Sequence, residues 1–155
     1  MADVLDRFSP ATREWFRGAF AAPTAAQEGA WEAISKSVLA AIDGKPVTLV
    51  GHSLGGALAL MCAIQMVVSG NAPAAVWGFE PPRISPGPEL GPLLAHVPIT
   101  LYRNGNDIVP TLPPDWYLPV PLTLIGTPEV PFDNPFDHKM ERVIAALTAA
   151  EPTAA

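Results

Sequence analysis

Val47-Thr48-Leu49-Val50-Gly51-His52-Ser53-Leu54-Gly55-Gly56, continuing into Ala57-Leu58-Ala59-Leu60-Met61-Cys62-Ala63, is the stretch that decides how this chain is read. The first four residues are strand-like, and the alanine- and leucine-rich run at the end is helix-like. Between them the G-x-S-x-G spacing fits a nucleophile elbow, a serine on a tight turn from strand to helix. Such a turn forces the serine into a strained backbone conformation, and side chains at Gly51 or Gly55 are expected to collide with the neighbouring strand or helix. The strain exposes the Ser53 hydroxyl above the sheet, beside the backbone N–H groups of a helix N-terminus.

Upstream of this turn the residues read as helices. Ser9-Pro10 is an N-cap followed by proline in the first turn, leading into Glu14, Trp15 and Phe16. Thr24 and Gln27 have the spacing of a capping box, and Trp31, Ile34, Val38, Leu39 and Ile42 then recur at helical intervals up to Gly44. Downstream, Ser69-Gly70-Asn71 breaks the elbow helix, and 74–79 and 96–103 read as further strands. A proline-rich loop from Pro81 to Pro92 separates them. Asn104-Gly105-Asn106-Asp107 is turn chemistry at the end of the third strand. Pro110 to Pro121 holds five prolines around Trp116 and Tyr117 and predicts a stiff, irregular loop before a short strand near 122–125. A last helix is expected over 138–149, with Met140, Val143, Ile144 and Leu147 on one face. Strands alternating with helices predict an α/β fold, a mostly parallel sheet with flanking helices.

Composition sets the frame. The 155 residues suit one domain, and 49% hydrophobic content favours a globular chain over a disordered one. A net charge of −6 speaks against nucleic acid or an anionic membrane surface as a partner. The single cysteine, Cys62, cannot form an internal disulfide and reads as a buried thiol on the elbow helix. No signal peptide or membrane-spanning run is visible, so a cytoplasmic protein without stable membrane insertion is the default expectation.

A serine nucleophile needs a base, and the base needs an orienting carboxylate; with this elbow they follow in the order Ser…Asp/Glu…His. Of the three histidines, His52 lies inside the elbow, with its side chain expected to point away from that of Ser53, and His96 precedes the best carboxylate. His138 is left as the base. Asp107 is the best acid, just beyond the C-terminal end of a strand, where active groups gather in open α/β sheets.

Asn106-Asp107-Ile108-Val109-Pro110-Thr111-Leu112-Pro113-Pro114 resembles the segment around the catalytic aspartate of the class 3 (fungal-type) lipases. Gly51 to Ala59 resembles the elbow of that family, and Asp137-His138 its Asp-His element. Gly78-Phe79-Glu80-Pro81-Pro82-Arg83-Ile84 is a weaker match to its G-x-P-R segment. The resemblance covers roughly Ile34 to Ala149. It implies a reduced α/β-hydrolase-like fold and lipase or esterase activity on carboxylic esters of lipids, with neither metal nor cofactor. In that reading Ser53, Asp107 and His138 form the catalytic triad, and the Leu54 backbone N–H is one oxyanion-hole donor.

The chain also departs from the pattern. The family's second oxyanion donor comes from a loop after an earlier strand, whereas the residues before the elbow here read as helices. No residue can be named for that donor, and losing one costs roughly a hundred- to a thousandfold in rate. Weak activity follows as an expectation, with a non-catalytic scaffold binding lipid or a partner protein as the alternative. The sheet would also lack strands on one side, leaving an edge that a second copy could cover as a homodimer.

Residues 1–37 separately resemble the N-terminus of large helicase-related superfamily 2 helicases, where a P-T-x-x-Q element like Pro23-Thr24-Ala25-Ala26-Gln27 recognises adenine. No phosphate loop or D-E-x-[DH] box follows, so the capping-box reading is preferred to an adenine-binding module. A grafted origin, with helices standing in for lost strands, would account for this segment. The expected organisation is a helical segment over 1–44 packed on the core, a lipase-like α/β core over 45–150, and a tail over 151–155.

Overall fold

The structure, a computed structural model, describes Arg13 and residues 45–150. The helices expected over 1–44, their Thr24–Gln27 capping box, their packing on the core and the tail at 151–155 lie outside the described residues.

Chain order runs β1 (Thr48–His52), α1 (Leu54–Val68), β2 (Ala75–Phe79), α2 (a single turn, Leu90–Leu93), β3 (Ile99–Asn104), β4 (Leu122–Ile125) and α3 (Met140–Ala150). The four strands form one parallel sheet in the order β1-β2-β3-β4, so neighbours in sequence are neighbours in space. Register pairs Gly51 with Gly78 and Gly78 with Leu101. The sheet of flanked parallel strands is the α/β arrangement that the sequence predicts.

The core lies between α1 and the sheet. Leu60, Ala63 and Ile64 of α1 cluster with Val76 of β2, Leu101 of β3, and Leu94 and Val97 from the segment between those strands. Small residues on the buried side of α1, Gly56, Ala57, Ala59 and Ala63, let the helix lie close to the strands. Cys62 is half-buried on this helix, and burial raises its thiol pKa, which keeps it protonated and unreactive.

Several expected boundaries move. β1 extends to His52 because its ladder with β2 runs on to the His52–Phe79 pair. β3 starts at Ile99 instead of His96; Pro98 has no N–H to give a neighbour, although its carbonyl accepts from the Val76 N–H at 2.9 Å. On α3 the inward stripe differs from the expected one. Val143 is buried and Leu147 half-buried, but Ile144 is 56% exposed. No helix among the described residues is long and apolar enough to cross a membrane.

Candidate active site

The parallel strands end at the same edge of the sheet, and the tips of β1, β2 and β3 each deliver one component. Ladder bonds continue past the strands to hold these tips. The Ser53 N–H donates to the Phe79 carbonyl at 2.8 Å, the Glu80 N–H to the Tyr102 carbonyl at 2.8 Å, and the Gly105 N–H to the Ile125 carbonyl at 2.8 Å. Ser53, Glu80 and the loop carrying Asp107 are thus tied to the sheet by their backbones.

Ser53 sits between β1 and α1 with φ 56° and ψ −128°, a conformation that L-residues seldom adopt. A Cβ on Gly51 would run into the backbone of Gly55, so the strand tip and the first helical turn are in close approach there. Gly55 itself faces open space, contrary to expectation; the second tight position is Gly56, whose Cβ would lie 3.0 Å from that of Pro81. The glycine need has shifted one residue along because the wall facing the helix start is the Pro81 loop.

Ser53, Asp107 and His138, expected from the sequence to act together, are brought together. Ser53 Oγ lies 2.7 Å from His138 Nε2, across 85 residues of sequence, and His138 Nδ1 lies 2.7 Å from Asp107 Oδ2. A carboxylate next to Nδ1 fixes the imidazole with its proton on that nitrogen and Nε2 free to accept from the hydroxyl. Asp107 is fully buried, and its other oxygen accepts the Val109 N–H at 3.0 Å. Leu54, whose backbone N–H is the expected oxyanion donor, opens α1 and is 64% exposed. An N–H in the first turn of a helix has no carbonyl within that helix to receive it.

The loop that presents His138 is anchored through its neighbour. Asp137 is fully buried and accepts from the Asn106 N–H at 2.9 Å, the Glu129 N–H at 3.1 Å and Asn134 Nδ2 at 3.0 Å. Arg142 Nη2 lies 3.1 Å from it. Burial alone would raise the Asp137 pKa, but these donors and the guanidinium outweigh burial and hold it below 3.8. Gly105, at φ 50°, leaves the room this requires: a Cβ there would lie 2.6 Å from Asp137 Oδ2. Asn104 Nδ2 donates to the Asp137 carbonyl at 2.9 Å. The turn after β3 and the loop before α3 are therefore one hydrogen-bonded unit.

Two further residues belong to this site. Glu80, at the tip of β2, is fully buried and has φ 54°. Its Oε2 is 3.1 Å from His52 Nε2 and 3.5 Å from His138 Nδ1, while its Oε1 is buried without a hydrogen-bond partner. Desolvation, then the charge and hydrogen bond of Asp107, push the Glu80 pKa up to about 8. His52, whose side chain is expected to point away from that of Ser53, lies against His138: the ring centroids of His52 and His138 are 4.7 Å apart, and His52 Nε2 donates to the His138 carbonyl at 3.0 Å. Sequence reading missed both roles, although Glu80 stood in the quoted G-x-P-R-like segment.

His52, Glu80 and His138 are also the one group among the described residues whose ligand-type atoms lie close enough for a metal, within 4.8 Å. Those atoms are already matched with one another, with a carbonyl, with Asp107 and with Ser53. A cation there would have to displace the contacts of His138. The proline-rich loop forms an open groove of about 560 Å³ lined by Arg83, Pro110, Trp116, Tyr117, Leu118 and Leu122, beside the site and not at Ser53. Arg83 Nε donates to the Pro110 carbonyl at 3.3 Å.

Residues 6–116, well over half the chain, match the family described as lipase (class 3). The chain belongs to the class 3 lipase family. Among solved structures this class 3 lipase chain is similar to the lipase of Rhizomucor miehei in its propeptide complex, at 25% identity and a TM-score of 0.53, covering 68% of this chain and 44% of that one. Lipase II from Rhizopus niveus shares the fold at 22% identity and a TM-score of 0.53, over 70% of this chain and 51% of that one. MDLA of Penicillium cyclopium does so at 22% identity and a TM-score of 0.54, over 71% and 44%. The chain thus spans about half the length of these lipases. A stretch of 35 residues is also similar, at 69% identity, to the Lhr helicase/probable uracil glycosylase of Mycolicibacterium smegmatis, covering 23% of this chain and 2% of that protein.

Proposed function

We propose that this class 3 lipase family member hydrolyses carboxylic esters of lipids through a Ser53–His138–Asp107 triad. The observation that carries the reading is the unbroken chain from Ser53 Oγ to His138 Nε2 and from His138 Nδ1 to Asp107 Oδ2, 2.7 Å at each step. His138 takes the hydroxyl proton as Ser53 Oγ attacks the ester carbonyl, and the imidazolium formed is stabilised by Asp107. The tetrahedral oxyanion is met by the Leu54 N–H at the positive end of α1. Collapse expels the alcohol, protonated by His138, and leaves an acyl-enzyme; water, activated by the same imidazole, then releases the fatty acid. Exposed apolar side chains beside the site, Leu54 at 64% and Phe136 at 53%, suit an acyl chain better than a polar substrate.

The test is hydrolysis of p-nitrophenyl butyrate and octanoate by the purified protein beside Ser53→Ala. Turnover that vanishes in the variant supports the serine hydrolase, and the ratio between the chain lengths separates esterase from lipase preference. A folded protein without Ser53-dependent turnover would instead favour a scaffold that binds lipid or a partner protein.

A further inference from the structure

Glu80 is buried at the centre of the site, yet the triad chemistry leaves it without a task. On balance its surroundings favour the protonated state. Oε2 lies 3.1 Å from His52 Nε2, whose single proton it shares with the His138 carbonyl, and 3.5 Å from His138 Nδ1, whose proton goes to Asp107. Oε1 is buried with no partner that donates to it. Beside it lies the fully buried carboxylate of Asp107, and two unprotonated carboxylates cannot share such a place without repulsion. A proton on Glu80 turns this repulsion into a hydrogen bond. The backbone also argues for purpose, since φ 54° costs a residue with a side chain about 1–2 kcal/mol.

We propose that Glu80 works as a neutral, proton-bearing positioning residue that donates to Asp107 and accepts from His52. Asp107 is thereby held against His138 Nδ1, while His52 clamps the His138 backbone carbonyl. Glu80 acts through these neighbours and touches no reacting atom. Groups facing it are His52 from β1, Asn104 and Asp107 from β3 and its turn, and Asp137 and His138 from the loop before α3. The two aspartates are anionic and favour retention of the proton, while a hydrogen bond from the Asn104 backbone opposes it.

The catalytic part of this inference rests on the ester-hydrolase reading, so its test has two arms. Glutamine reproduces a protonated carboxyl, with an amide that donates to Asp107 and an oxygen that accepts from His52. Glu80→Gln should keep most of the wild-type kcat, whereas Glu80→Ala should lose roughly 10- to 100-fold in kcat with little change in KM, as when the outer partner of a metal-bound histidine is removed. Wild-type turnover should fall as pH passes about 8, and Glu80→Gln should lose that descending limb. In the second arm, infrared spectra should show a protonated-carboxyl band that persists at neutral pH, titrates near 8 and is absent from Glu80→Gln. A glutamine variant as impaired as the alanine one, or a wild-type protein without that band, overturns the proposal. If no Ser53-dependent turnover exists, the hydrolase reading fails by itself and the infrared arm still decides the state of Glu80.

Discussion

At Ser53 the backbone is held at φ 56° by forces on both sides: the N–H is bound to the Phe79 carbonyl, and the carbonyl receives the Gly56 N–H at 2.9 Å. Positions of this kind cost about 1–3 kcal/mol and persist only where the surroundings over-determine them. The close approach that enforces the turn is at Gly51, so Gly51→Ala should lower stability by about 1–3 kcal/mol in urea unfolding. Gly55→Ala, in open space on the first turn of α1, should change it by no more than about 1 kcal/mol and in the stabilising direction. Asp107→Asn should leave KM nearly unchanged but lower kcat by about 10⁴-fold, because an amide can hold His138 in the wrong tautomer; steady-state kinetics on the octanoate ester would show it.

Elements decide whether the base arrives. The loop before α3 depends on Asp137, whose buried carboxylate collects N–H groups from Asn106 and Glu129 and the amide of Asn134. Asp137→Ala should cost about 1–3 kcal/mol for each buried donor left without a partner, read from urea midpoints, and should lower kcat as His138 loses its anchor. Asp137 and His138 were legible from the sequence only as a dipeptide; that one turns inward to brace the other depends on Gly105 and Asn134, far apart in the chain. The elbow was legible because strand, turn and helix are local and each leaves its own pattern. Asp107 was legible because turn-forming residues directly after a strand mark the functional edge of a parallel sheet. Glu80 was not, since a glutamate after a strand looks the same whether solvated or sealed under a neighbouring strand tip. The contacts of His52 were not legible for a related reason: they depend on a carbonyl and a carboxyl brought in from residues 138 and 80. The strand starting at Ile99 shows how one proline shifts a boundary that hydrophobic pattern alone sets too early.

On the scale of the whole molecule, two buried carboxyls push stability in opposite directions with pH. Asp137 has a lowered pKa, so it contributes stability above 3.8 that is lost as pH falls through its folded value. Glu80 keeps its proton in the fold up to about 8 but loses it near 4.5 when unfolded. Across that interval the folded state binds the extra proton, and stability declines as pH rises. These two groups together place the maximum on the acid side of neutrality. Urea midpoints measured across pH should show that maximum, and Glu80→Gln should flatten the decline toward 8 while Asp137→Asn flattens the loss in acid. The sheet order has a consequence in time as well. Because β1 to β4 lie side by side in the order of the chain, a ribosome releases the site one wall at a time, with the serine first and the histidine last. A nascent chain can close its whole sheet while the hydroxyl still lacks its proton acceptor. The emergence of residues 138–150, and the docking of α3 behind His138, is the moment at which the proposed chemistry is switched on.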